Sequence, residues 1–331
     1  LNVSATLISP EYSRSFRSAL RRWYRQHGRE LPWRRTRDPY AILVSEFMLQ
    51  QTQVTAVRSY YIEWLKRFPD FATLAHASEN DVLHAWQGLG YYARARNLHA
   101  TAKIVEDRYR GRFPHEIERM RQLPGIGKYT AHAVAAFAFD QPVPIVEANT
   151  ARVLARLFDL RTPIDQTVGR ELLWNRAASL VPKKSARDYN SALMDLGALV
   201  CLPRQPECRI CPVKKFCSAV HPERLPIKRG HPKTKPLIEN HAFVLRKNKI
   251  LLQQAHRRWR GMWILPKLKS RSMRKRPIYA SIFPFTNHRV TLRIFRQRQN
   301  KIDRQRWFPL RVLGSIPIPT PHRRAIVDLL H

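Results

Sequence analysis

Four cysteines, Cys201, Cys208, Cys211 and Cys217, lie within seventeen residues in the spacing C-x6-C-x2-C-x5-C, and the chain has no others. Thiols this close form one ligand set for a soft metal in a reducing compartment. A four-cysteine site with a C-x2-C pair suits zinc, a [4Fe-4S] cluster suits it equally, and spacing alone does not separate them. A second feature is Leu123-Pro124-Gly125-Ile126-Gly127-Lys128-Tyr129, where two glycines make a tight turn just before an amphipathic helix. The bare N–H groups around Gly125, Gly127 and Lys128 form a cradle for a phosphate. The third is Glu46, set among Val44, Phe47, Met48 and Leu49. Apolar surroundings drive a carboxyl toward its neutral form, which is what a general acid needs.

The elements that must position these groups read as helices over the first two thirds of the chain. Tyr12, Phe16, Leu20, Trp23 and Tyr24 share one helical face, and further helices are expected at Pro39 to Phe68, Tyr92 to Tyr109, Tyr129 to Phe139, Asn149 to Phe158 and Asn190 to Val200. Around Pro222 to Pro236 the text turns to Pro, Lys, Arg and His without apolar period, the composition of an exposed linker. Beyond it, His241 to Leu245 and Ile250 to Gln254 flank a Lys247-Asn248-Lys249 turn, and Val290, Leu292 and Ile294 alternate with polar residues. The end, Thr320-Pro321 followed by Ala325, Ile326, Leu329 and Leu330, reads as a capped helix. The expected organisation is an all-α region over 1–221 that includes the cysteine loop 201–217, a linker over 222–236, and a small α+β domain over 237–331.

With 331 residues, 44% of them hydrophobic and 25% charged, the composition is that of a globular protein. No apolar run approaches the roughly 20 residues of a membrane-spanning helix, so no membrane partner is expected. Leu1 to Pro10 carries no secretory signal pattern, which with the clustered thiols predicts a cytoplasmic protein, associated with the nucleoid if bacterial. The net charge is +36, from 60 Lys and Arg against 24 Asp and Glu. Such a field attracts polyanions and predicts a nucleic-acid partner.

Leu31-Pro-Trp-Arg-Arg35, Val44-Ser-Glu46-Phe-Met-Leu-Gln50-Gln51-Thr52, Gly88-Leu-Gly-Tyr91-Tyr92, the glycine hairpin and the cysteine spacing follow one another in this order. In this the chain resembles the MutY-type adenine DNA glycosylases of the helix-hairpin-helix superfamily that includes endonuclease III. The resemblance is strong from about Arg14 to Cys217 and thin afterwards. It implies an all-α helix-hairpin-helix glycosylase domain, a [4Fe-4S] cluster on Cys201, Cys208, Cys211 and Cys217, and a C-terminal Nudix-like domain that reads 8-oxoguanine opposite the adenine. It further implies that Glu46 protonates the flipped adenine and that Arg34 and Tyr129 hold the base and the acid. Asn149 would support a sugar-side carboxylate, while Gln51 and Tyr91 enter the duplex where the adenine left. The partner that the resemblance implies is double-stranded DNA with A:8-oxoguanine or A:G mispairs, and a monomer is expected to bind it.

Two departures qualify the likeness. The family has Asp in a Val-Asp-Gly-Asn context where this chain has Val146-Glu147-Ala148-Asn149. The extra methylene moves the carboxylate by roughly an ångström, a displacement that can cost on the order of 100-fold in rate. Retained activity through Glu147 is the expectation, and a lesion-binding protein with weakened catalysis is the alternative. In the C-terminal domain, Gly261-Met262-Trp263-Ile264-Leu265-Pro266 is similar to the family's Leu-Trp-Glu-Phe-Pro, and Phe285-Thr286-Asn287 aligns with its Phe-Ser-His hairpin, with His288 one place late. No R-E-x-x-E-E segment is present, so magnesium-dependent phosphohydrolysis is not expected. Bifunctional relatives place a Schiff-base lysine where Tyr129 stands, so a monofunctional enzyme is expected. Within the superfamily the other reading is a thymine or uracil mismatch glycosylase, because thymine-specific members share the Gly-Lys-Tyr-Thr hairpin.

Overall fold

The computed structural model describes residues 9–230, 234–268, 276–297 and 305–330. In chain order the helices are α1 (Pro10–His27), α2 (Pro39–Leu49), α3 (Val54–Arg67), α4 (Phe71–His76), α5 (Glu79–Ala85), α6 (Ala93–Tyr109), α7 (Ile117–Arg121) and α8 (Lys128–Phe139). They continue with α9 (Ala148–Leu157), α10 (Thr167–Leu180) and α11 (Ala186–Leu199), and α12 (Thr320–Leu330) closes the chain. The strands are β1 (Lys235–Phe243), β2 (Leu245–Arg246), β3 (Lys249–Gln254), β4 (Trp263–Ile264), β5 (Tyr279–Phe285), β6 (His288–Arg296) and β7 (Gln305–Pro309). The chain folds into two compact units, each made of two stretches: Leu1–Gln50 with Arg108–Gly230, and Gln51–Asp107 with His231–His331.

The first unit is helical. Helix α1 begins where Ser9 accepts a hydrogen bond from the Tyr12 N–H and Pro10 supplies a pre-set first turn, and it buries Phe16 and Leu20. Those side chains join Leu154, Leu157, Leu173, Leu193 and Leu196 in one core. Helix α2 is capped by Asp38, whose carboxylate accepts from the Tyr40 and Ala41 N–H groups, and every residue from Tyr40 to Met48 is buried. A helix with no solvent face must bury the polar groups it carries, here Ser45 and Glu46. The start of the expected linker is fastened to this unit. Leu225 is buried, its carbonyl accepts from Arg156 Nε at 3.1 Å, and the Ile227 carbonyl accepts from the Ile164 N–H at 3.0 Å. Residues 231–233 of that stretch lie outside the described residues, as do residues 1–8 of the stretch searched for a signal.

The second unit contains α3 to α5, nearly all of α6, and an α+β region. Strand β1 runs parallel to β6 and β5 runs antiparallel on the other side of β6. In the second sheet β7 lies along one edge of β3, while β2 and β4 share the other. The alternation read in the sequence appears as Val290, Leu292 and Ile294 turned inward, and Leu292 and Ile294 share a core with Ala325 and Ile326 of α12. Lys247 and Asn248 both take left-handed backbone, φ 44° and 57°, as a two-residue hairpin turn requires.

One expectation is corrected. The helix expected from Pro39 to Phe68 is two helices, broken at Gln50–Gln53, where Gln51 has φ 57°. A positive φ cannot continue a right-handed helix, and four polar residues in a row offer no apolar face to carry it through. Among the described residues no helix is long and apolar enough to cross a membrane.

Candidate active site

Glu46 sits in the last turn and a half of α2, fully enclosed. The Tyr129 hydroxyl, from the first turn of α8, donates a hydrogen bond to its carboxyl. Among the described residues its Oε2 has no partner. Burial pushes the Glu46 carboxyl up to about 7; the Tyr129 bond opposes this and the nearby Glu147 charge adds to it. At neutral pH a large share of Glu46 therefore carries a proton. Burial and the same two carboxylates raise the Tyr129 hydroxyl well above its ordinary value, so it stays a donor.

Glu147 is the N-cap of α9. Its Oε2 accepts from the Asn149 N–H at 2.8 Å and its Oε1 from the Thr150 N–H at 2.9 Å, while Thr150 Oγ1 accepts from the Glu147 N–H at 2.8 Å. This reciprocal box is usually built on Ser, Thr or Asp, and the longer glutamate reaches the same donors by folding back onto the helix end. Burial raises its pKa, while those two N–H groups and the charges of Arg152 and Arg29 pull it back. The two carboxyls thus have different surroundings: Glu46 is desolvated with one donor, and Glu147 is held by a helix terminus and two cations. Asn149 is fixed beside it, its Oδ1 accepting from Arg152 Nη2 at 2.8 Å. Gly197 of α11 lies so close that a Cβ there would come within 2.7 Å of Asn149 Cβ, so only glycine lets α11 and α9 approach this far.

Arg34 is brought to a partner that sequence reasoning missed. Its Nη1 and Nη2 donate to both oxygens of Asp195 at 2.7 and 2.8 Å, and Arg29 adds its backbone N–H and Nε, each at 2.8 Å. Burial works against the Asp195 charge, but the bonds and charges of Arg34 and Arg29 hold the carboxyl below its ordinary range. The available signal was an acid on the apolar face of the helix read at Asn190 to Val200. Arg152 and Arg156, one turn apart on α9, were missed too. Arg156 Nη1 donates to Cys201 Sγ at 3.2 Å and to the Leu202 carbonyl at 2.7 Å, and Arg152 Nε donates to the Cys201 carbonyl at 2.8 Å.

None of the four cysteines is paired in a disulfide. Burial pushes Cys211 up to about 11, and the other three thiols are near enough to raise it further. Among the described residues, no group of three or more His, Cys, Asp or Glu is set to hold a metal ion.

In the hairpin, Gly125 has φ 76° and caps the turn after α7. Gly127 is the N-cap of α8 with ordinary φ −85°, and a Cβ built there meets nothing within 4 Å. Protein packing therefore does not demand glycine at 127, and open space lies over the helix N-terminus. The Lys128 ammonium lies over the Trp174 ring, 4.1 Å from its centroid, while the neighbouring Tyr129 turns to Glu46.

In the second unit Gln51 and Tyr91 are both exposed and both left-handed, with φ 57° and 46°. Thr286 and Asn287 form the exposed two-residue tip between β5 and β6. Thr286 has φ 50°, its Oγ1 donates to the Phe285 carbonyl at 2.7 Å, and His288 opens β6 opposite Phe285.

Residues 44–177 match the model of the HhH-GPD superfamily base excision DNA repair protein. Similar proteins include adenine DNA glycosylases from Buchnera aphidicola subsp. Acyrthosiphon pisum, 32% identical over 75% of this chain and 73% of that one, and from Mus musculus, 44% identical over 62% of this chain and 42% of that one. Against the relative from Buchnera aphidicola subsp. Baizongia pistaciae the identity is 42% over 62% of this chain and 58% of that one, so the chain spans about half the length of several relatives it matches. Among solved structures, a thermostable thymine-DNA glycosylase superposes with TM-score 0.58 and 32% identity, over 63% of this chain and 96% of that one. A non-covalent endonuclease III–DNA complex shares the fold at TM-score 0.54 and 21% identity, over 63% and 95%. By this likeness, which spans most of a relative's length as well as of its own, the chain belongs to the adenine DNA glycosylase family within the HhH-GPD superfamily.

Proposed function

We propose that this chain is a monofunctional adenine DNA glycosylase that hydrolyses the N-glycosidic bond of adenine mispaired with 8-oxoguanine or guanine in duplex DNA. The observation that carries the reading is the buried Glu46 carboxyl, poised near neutrality beside Tyr129 and close to a second, differently held carboxylate. The adenine leaves the stack and enters the site, and Glu46 gives its proton to a ring nitrogen of the base. The bond from N9 to C1′ then breaks with its electron pair on the base. The sugar cation that remains is stabilised by Glu147, whose oxygens each keep a lone pair beyond the one bonded to the helix end. Water adds to C1′ and gives its proton to the Glu46 carboxylate, which restores the acid and leaves an abasic site. Lys128 stacked on Trp174 supports hydrolysis without a Schiff base.

We read the cysteine loop as the seat of a [4Fe-4S] cluster, because its four thiols lie close enough to act on one another's charge and could each supply one iron with a thiolate. Cys201, Cys208, Cys211 and Cys217 would hold it, and when bound it crosslinks the loop. Arg156 offsets the thiolate charge at Cys201, and Arg209, Lys214 and Lys215 offer cations for DNA phosphates. The hairpin Gly125, Gly127 and Lys128 takes another phosphate. The α+β region is read as the Nudix-like lesion reader, with Thr286, Asn287 and His288 at its tip. A monomer acting on DNA, it would work in the cytoplasm, at the nucleoid in a bacterial cell.

Two other readings each have an observation behind them. The likeness to the thymine-DNA glycosylase favours a thymine or uracil mismatch enzyme. The capture of both Glu147 oxygens by the α9 terminus favours a lesion binder with weakened catalysis. Single-turnover base release from A:8-oxoguanine and T:G duplexes, with Glu147→Asp run beside the natural chain, separates all three. Adenine release by the natural chain supports the proposal, and thymine release replaces it with the second reading. Release only from Glu147→Asp gives the third.

A further inference from the structure

Gln51 and Tyr91 are forty residues apart in sequence, both exposed and both in the left-handed region, with φ 57° and 46°. Side chains rarely adopt that region, and it persists where the surroundings over-determine it. One buried guanidinium joins the two places. Arg94, on the first turn of α6, donates through Nη2 to the Leu89 carbonyl at 2.8 Å and to the Gly90 carbonyl at 3.1 Å. Its Nη1 and Nη2 each reach Thr52 Oγ1, beside Gln51, at 3.2 Å. Its plane lies near the rings of Tyr91 and Trp86, 5.6 and 5.3 Å from their centroids, and Trp86 Nε1 donates to the same Gly90 carbonyl at 3.1 Å. Gly88 and Gly90, with φ 105° and 70°, leave the intervening loop little stiffness of its own.

We propose that Arg94 is a positioning residue that sets Gln51 and Tyr91 as one two-pronged wedge, through Thr52 on one side and the Leu89 and Gly90 carbonyls on the other. The inference rests on the reading that these two residues enter the duplex, and it adds what holds them there. A rigid fork of donors is what the arrangement uses, so lysine, a point charge on a flexible stem, does not replace it. Burial lowers Arg94 only to about 10, which leaves the fork charged at neutral pH.

The test uses the full chain and four variants: Arg94→Lys, Thr52→Val, Tyr91→Ala and the double variant Arg94→Lys/Tyr91→Ala. Thr52→Val cuts the tie to the Gln51 side and leaves the buried charge in place, so it remains informative if Arg94→Lys folds poorly. Adenine release at saturating enzyme is expected to slow on the order of 100-fold in Arg94→Lys and about tenfold in Thr52→Val. The pH midpoint of release should not move, because Glu46 is untouched, and the double variant should be slower than Tyr91→Ala by no more than about the tenfold of the Gln51 side, less than the product of the two single losses. Losses that multiply in the double variant, or release at the natural rate in both Arg94→Lys and Thr52→Val, overturn the proposal. Base flipping is followed separately with 2-aminopurine in place of adenine, whose fluorescence rises when it leaves the stack. If the natural chain releases no adenine, the proposed activity fails, but slower flipping in Arg94→Lys and Thr52→Val still upholds the clamp. An equal rise in natural and variant chains, or no rise at all, overturns it.

Discussion

Replacing Glu46 by Gln keeps the size of the side chain and an acceptor for Tyr129 while removing the ionisation. In the native chain the carboxyl holds its proton up to about 7, against an ordinary value of 4.5. Between those values the folded state binds more protons than the unfolded one, so the group lowers stability as pH rises, and the loss is complete above the folded value. At about 1.4 kcal/mol per pH unit the full penalty is about 3 kcal/mol. Glutamine does not carry it. The stability of Glu46→Gln relative to the natural chain should therefore grow by about 2 kcal/mol between about pH 5.5 and about pH 8.5. Urea midpoints across that range measure this directly. If Glu46 is the acid we propose, it also sets the alkaline limb of catalysis: single-turnover release should fall tenfold per pH unit above about 7, and Glu46→Gln should release no adenine at any pH. A parallel stability profile for the two proteins, or a release profile flat through neutrality, would refute the assignment of Glu46 as a buried acid.

Glu147→Gln should abolish base release while keeping the α9 cap through its amide oxygen, so that melting temperature stays within a few degrees; normal release by this variant removes Glu147 from the mechanism. Asp195→Asn leaves Arg34 and Arg29 without their shared counter-charge and should cost about 3–5 kcal/mol in chemical unfolding. Because the Asp195 carboxyl sits below its unfolded value of 3.8, its contribution is present above that pH and lost as pH falls through the folded value. Gly127→Ala adds a methyl to open space and should cost no more than about 1 kcal/mol of stability through the weaker N-cap, yet weaken duplex binding; unchanged affinity would mean that no phosphate approaches there.

The helical character of the first unit and the glycine turn before α8 were legible because each depends on local order along the chain. Glu46 was legible as an acid among apolar neighbours, and the structure gives the reason: α2 is buried on every side. What local order does not contain is pairing across long separations. Asp195 meets Arg34 across 161 positions, and the pattern of α11 marks it only as one acid on an apolar face. The break between α2 and α3 was hidden in the same way. The apolar periodicity resumes after Gln53, so the four polar residues before it read as one polar turn of a continuing helix, and the φ of Gln51 is what turns the chain there. The grouping of residues 51–107 with the C-terminal stretch leaves no trace in composition, since a linear reading places boundaries only where composition changes.

The substitution at position 147 gains its meaning from the helix it starts. In this chain the carboxylate proposed to face the sugar is also the cap of α9, and the residue three positions on, Thr150, answers it through the capping box. The same helix carries Arg152, which bonds Asn149 beside the carboxylate at one end of its guanidinium and the Cys201 carbonyl at the other. One turn later Arg156 bonds the Cys201 thiol itself. The position of the sugar-side acid is therefore set by α9 as a rigid body, and α9 is anchored at its far side to the cysteine loop. An extra methylene at 147 changes the reach of the side chain but not the helix end that receives it. Any loosening of the cysteine loop, by contrast, is passed through Arg152 to Asn149 and shifts that helix end. On the proposed reading, replacing the cysteines is then expected to slow base release as well as weaken DNA binding, because the loop they form anchors α9.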